Sequence, residues 1–77
     1  MRNWEWIERN PLRAWRKPRR LYLREVAEAA GVSIISVQKW ENGTVRPDIP
    51  NMMRLAEYMK MDFQELAEAW IAWQNEQ

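Results

Sequence analysis

Leu23 to Asn42 reads LREVAEAAGVSIISVQKWEN, and its apolar spacing decides the fold. Leu23, Val26, Ala27 and Ala30 recur at i, i+3, i+4 and i+7, one face of a helix packed on a core. Ala30-Gly31-Val32-Ser33 then ends one helix and begins another. Gly31 suits the left-handed backbone at a helix C-terminus, where a Cβ is penalised. Ser33 can accept a hydrogen bond from the free N–H groups of the helix that follows. Val32 plugs the core between the two, and Val37 and Trp40 continue the buried side.

A helix, a glycine turn and a second helix at this spacing have the shape of a helix-turn-helix, which sets its second helix in a DNA groove. The residues also resemble a known family. From Leu21 to Met61 the chain is similar to the Cro/lambda-repressor (XRE-like) type, widespread in phage and bacterial regulators. The marks are Val26-Ala27, then Ala30 to Ser33 at the turn, then Trp40-Glu41-Asn42-Gly43. Pro47, Leu55-Ala56 and an arginine in the preceding helix, Arg16, also match. Tyr22 and Leu23 depart from the pattern, which prefers a small hydroxyl cap followed by glutamine. Arg24 is the candidate to replace the backbone contact that glutamine usually makes.

Composition excludes much else. Seventy-seven residues allow one domain with a modest core. The chain has no cysteine and no histidine. Disulfides, thiol nucleophiles, imidazole bases and the usual zinc sets are therefore absent, and no metal or cofactor is expected. Trp4-Glu5-Trp6-Ile7-Glu8 interrupts the place of a signal peptide, and no stretch reaches membrane-spanning length, so a cytoplasmic, nucleoid-associated protein is expected. The net charge of +1 hides a segregation. Seven basic residues and no acidic ones lie between Arg9 and Arg24, whereas four basic residues face nine acidic ones from Glu25 onward. A basic run alone reads as a solvated face; beside a helix-turn-helix it reads as a phosphate-binding surface.

The remaining punctuation predicts an all-α, compact, five-helix domain. Residues 1–9 form an N-terminal extension, whose Trp4, Trp6 and Ile7 either pack back on the core or meet a partner. Residues 10–77 form the domain. Asn10-Pro11 starts the first helix, and Lys17-Pro18 limits it. Residues 43–47 form a loop, and Asp48 caps a helix with Ile49, Met52, Leu55, Ala56 and Met59 inward. Asp62 opens a C-terminal helix over 62–75, with Phe63, Leu66, Ala67, Trp70 and Trp73 as its stripe.

Advancing about 100° per residue from the buried Val37 and Trp40 turns Ile35, Gln38 and Lys39 outward, with Ile34 and Ser36 on the flanks. The resemblance implies that helix 33–42 enters the major groove of double-stranded DNA, with Ser33, Ile34, Ile35, Ser36 and Lys39 at base edges. Ile35 has three readings: a scattered surface hydrophobe, a contact to a thymine methyl, or, with Ile34, a knob for a partner protein. Phosphate contacts are expected from the helix starts near Leu23 and Ser33 and from Arg19, Arg20, Arg24 and Arg46. The resemblance adds Asn42, Gly43 and Thr44 as a phosphate-gripping loop. It also implies that Arg16 and Glu41 form a structural ion pair. No nucleophile–base pair or phosphate-cradling loop is present, and no enzyme is expected.

The function expected is a sequence-specific DNA-binding regulator of Cro/repressor type, acting as a homodimer on a near-palindromic operator. Trp70 and Trp73 are the expected dimer interface, unless Trp4 and Trp6 cover them. The alternative is a helix-turn-helix scaffold that engages a protein through its exposed isoleucines and tryptophans.

Overall fold

Six helices follow one another without a strand among the described residues, 3–76 of the computed structural model. They are α1 (Trp4–Glu8), α2 (Pro11–Arg16), α3 (Leu23–Ala30), α4 (Ile34–Glu41), α5 (Ile49–Met59) and α6 (Phe63–Asn75). Residues 1, 2 and 77, assigned from sequence to the extension and to the end of the domain, lie outside the described residues.

Local chemistry sets most boundaries. The Asn10 Oδ1 accepts from the N–H groups of Leu12 and Arg13 at 3.0 and 2.9 Å, starting α2. Ser33 Oγ accepts from Ser36 N–H at 3.1 Å and starts α4. Asp48 and Asp62 cap α5 and α6 in the same way, through Asn51 and Glu65. Gly31 ends α3 at φ 70°, and Lys60 ends α5 at φ 56° without being a glycine. Burial then joins the helices. Leu12, Val26, Val37, Leu55 and Leu66 have no exposed surface, so each helix from α2 to α6 sends at least one side chain to the centre.

Three expectations change. The sixth helix is α1, inside the stretch assigned as an extension. Asn3 caps it through Trp6 N–H at 3.1 Å, and Trp6 and Ile7 are buried. Trp70 and Trp73 do not form an open dimer face: they are 0% and 2% exposed within the monomer. The reason is Trp6, which stacks on Trp73 with ring centroids 4.0 Å apart and planes within 5°. Each indole N–H of this pair donates to the other residue's carbonyl at 2.6 Å, across 67 positions of sequence. Finally, Ile49 and Phe63 turn outward, Ile49 being 68% exposed, while Met52, Leu55, Ala56 and Met59 hold the inner side of α5.

Candidate nucleic-acid interface

α4 owes its orientation to what its inner side contacts. Val37 and Trp40 are buried, and the Trp40 carbonyl accepts from Asn10 Nδ2 at 3.3 Å, tying the helix to α2. Asn10 itself has no exposed surface, so the hydrogen bond satisfies a buried amide. The opposite face is open. Ile34, Ile35, Gln38 and Lys39 are all exposed, and Ser33 and Ser36 share a hydroxyl contact of 3.1 Å at the helix start. The serines are thus already engaged with the cap, whereas the side chains of Gln38 and Lys39 make no hydrogen bond or ion pair among the described residues. Gln38 was not assigned as a base contact from sequence, although the wheel turns it outward.

The loop after α4 is ordered by its own side chains. Asn42 Oδ1 accepts from Thr44 N–H at 2.9 Å and also from the Thr44 hydroxyl. With the oxygen occupied twice, the Asn42 amide NH2 is the group left to donate outward. Val45 N–H returns to the Lys39 carbonyl at 3.2 Å, which folds the loop back along α4. Gly43 stands at φ 81° directly over the Trp6–Trp73 stack.

Arg16 and Glu41 meet in a two-pronged pair. Arg16 Nε and Nη2 donate to the two carboxylate oxygens at 2.8 and 2.9 Å, and Nη1 donates to the Leu21 carbonyl at 2.8 Å. The guanidinium therefore holds α2, the connection to α3 and the end of α4 in one place. The bond to Glu41 raises the Arg16 pKa above its ordinary value, against the desolvation that lowers it. Arg13 adds a second cation 3.6 Å from Glu41. Neither its role nor that of Asn10 across the core was visible in local spacing.

The other basic residues divide. Arg20 lines a surface depression with Leu21 and Tyr22 at the start of α3, and Arg24 lies 6.0 Å from the exposed Tyr22 ring. Arg19 has contacts of its own: its guanidinium stacks 4.5 Å from the Trp15 ring and donates to the Trp15 carbonyl. Arg46 lines a groove with Ile49, Phe63 and Ile71. At the α3 start, Glu25 accepts from Tyr22 N–H at 2.7 Å.

Residues 12–66 match the family described as helix-turn-helix. The chain belongs to the helix-turn-helix family. No curated protein and no solved structure matches it. It is accordingly a DNA-binding helix-turn-helix protein, and the matched region holds α3, the turn and α4 complete. α1 and α6 beyond Leu66, with the Trp6–Trp73 pair, lie outside the match. Among the described residues no helix is long and apolar enough to cross a membrane.

Proposed function

We propose that this helix-turn-helix protein is a sequence-specific transcriptional regulator of Cro/repressor type that lays α4 in the major groove of double-stranded DNA. The observation that carries the reading is the open face of α4, where Ile35, 62% exposed, shares a surface with Gln38 and Lys39. An apolar side chain suits a thymine methyl, and lysine suits the O6 and N7 of guanine. Ser33, Ile34, Ile35, Ser36 and Lys39 read bases in this scheme. Arg20, Arg24, Asn42, Gly43 and Thr44 hold phosphates, with Arg19 and Arg46 adding charge. Phosphate contacts set register and base contacts set preference. Selection from random duplex DNA tests it. One motif should be enriched, and Lys39→Ala should relax one position by about 1–3 kcal/mol. If nothing is enriched at low salt, or Lys39→Ala weakens all sequences alike, the assignment fails.

A homodimer would place two α4 helices about one DNA turn, roughly 34 Å, apart. Since Trp70 and Trp73 are internal, the face that supports it is the groove of about 200 Å³ between α5 and α6. Ile49, Phe63 and Ile71 line it, an apolar patch that suits pairing with its own copy. Phe63→Glu should then move the mass in solution to that of a monomer. The exposed Ile34 and Ile35 also support docking to a protein. That association would not weaken steeply with salt, whereas DNA binding would.

A further inference from the structure

α1 lies outside the family match, yet side-chain contacts tie it to the end of α6. Trp6 is buried against Trp73 by two reciprocal hydrogen bonds of 2.6 Å, and the pair forms the floor under Gly43. Arg9 adds a contact to Glu76 at 2.6 Å. Two residues before Trp6, on the other side of α1, Trp4 has the opposite environment. It is 60% exposed, while Trp6, Trp40, Trp70 and Trp73 are buried and Trp15 is half-buried. An exposed indole is the kind of side chain most enriched at contact surfaces, where a partner covers its apolar face.

Its position indicates what does. Trp4 lines a cleft of about 310 Å³ together with Leu23, Gln38, Glu41 and Asn42. Leu23 begins α3, Gln38 stands on the open face of α4, and Asn42 presents its amide NH2. The cleft thus runs between the start of α3 and the end of α4, the two places where a DNA strand would be gripped. Glu41 adds no free negative charge there, because Arg16 neutralises it. A backbone passing from one grip to the other lies along Trp4. The indole can cover deoxyribose, the apolar part of that backbone, while Asn42 donates to the adjacent phosphate.

We propose that α1 is a third element of the DNA interface, with Trp4 packed on the sugar–phosphate backbone beside Asn42. This rests on the DNA reading above. The contact is to backbone, so it does not depend on the operator and can be measured on a random-sequence duplex of about two turns, roughly 21 base pairs. Trp4→Ala should bind that duplex about tenfold more weakly, the equivalent of one exposed aromatic contact. The salt slope should stay as in wild type, because an indole neutralises no phosphate, whereas Arg20→Ala should flatten it. Thermal stability should be unchanged by Trp4→Ala.

Quenching supplies a second readout. Acrylamide should quench wild-type fluorescence less in the complex than in the free protein, and Trp4→Phe should abolish that difference. If Trp4→Ala binds as tightly as wild type, or if DNA leaves quenching unaltered, α1 is not part of the interface and the α4 reading stands. A wild-type chain that binds no duplex even at low salt overturns the DNA reading itself, and this proposal with it.

Discussion

Gly31 and Gly43 are the chain's two glycines, and they mark regions built on different principles. Both stand at positive φ, +70° and +81°. A Cβ on Gly31 would meet nothing within 4 Å, whereas on Gly43 it would overlap Trp6 Cη2 and approach Trp73 Cη2 to 3.3 Å. The turn at Gly31 is a local device: the backbone must reverse hand, and the space around it is empty. Gly43 is a packing device, because two indoles from opposite ends of the chain occupy the place a side chain would take. The helix-turn-helix can therefore be built from neighbours in sequence, but the loop beyond it rests on the chain ends.

Breaking the clasp should have the largest effect. Trp73→Ala removes a buried indole, its stack on Trp6 and the hydrogen bond its N–H donates to the Trp6 carbonyl, at a cost of about 3–5 kcal/mol. Urea unfolding should show it as a lower midpoint with the slope retained. A variant that keeps wild-type stability and only changes its mass in solution would return Trp73 to an interface.

The Arg16–Glu41 pair tests the family-matched side with an effect nearly as large. Their side chains are 11% and 4% exposed. Removing one partner from a buried pair costs about 3–5 kcal/mol, chiefly through the charge left behind. Glu41→Ala leaves Arg16 with only the Leu21 carbonyl, whereas Arg16→Ala leaves Glu41 with Arg13 at 3.6 Å. Arg16→Ala should thus be the milder change. The double-mutant cycle should give a coupling above about 1 kcal/mol, and an additive cycle would remove the pair from the stability argument.

The glycines sharpen the contrast at smaller magnitude. Gly31→Ala should cost about 1 kcal/mol, the penalty of a left-handed backbone alone. Gly43→Ala should cost about 2–4 kcal/mol, because overpacking against Trp6 adds to the same penalty. Only Gly43→Ala should also lower affinity for duplex DNA, through displacement of Asn42 and Thr44. Equal costs, measured by chemical unfolding, would mean the indoles yield without strain.

What was legible in sequence follows the same division. The spacing of Val26, Ala27 and Ala30, the Gly31 turn and the caps at Asn10, Ser33, Asp48 and Asp62 each act within four residues. All of them reappear in the structure. The outward face of α4 was legible because a helix of known phase needs only two buried residues to orient it. The reciprocal bonds of Trp6 and Trp73 span 67 positions, and no local rule connects them. That is why α1 read as an extension and Trp73 as an interface. Ile49 and Phe63 failed differently: each begins a helix, where the apolar stripe has no preceding turn to fix its direction. Arg19 was read as a phosphate contact by its place in a basic run, and its stacking on an aromatic neighbour, Trp15, is a further contact that the run does not reveal.

The smallest effect concerns the bridge between the two regions. Glu8, at the end of α1, accepts from Arg13 Nε and Nη2 at 3.1 and 2.9 Å and lies 3.7 Å from Lys17. The hydrogen bond from Arg13, opposed by some desolvation and helped by the charges of Arg13 and Lys17, holds its carboxyl below the ordinary glutamate value. A carboxylate whose pKa is lower folded than unfolded stabilises the fold above the unfolded value. The contribution is lost as pH falls through the folded one. Glu8→Gln should therefore lower the thermal midpoint slightly near neutrality, and the two proteins should converge as pH drops below about 4.3. The shift should also shrink with added salt, because the pair is solvated. A constant gap between the two curves through the acid range would show that Glu8 acts through packing of α1 rather than through its charge. The clasp would then join the family-matched region by apolar contact alone.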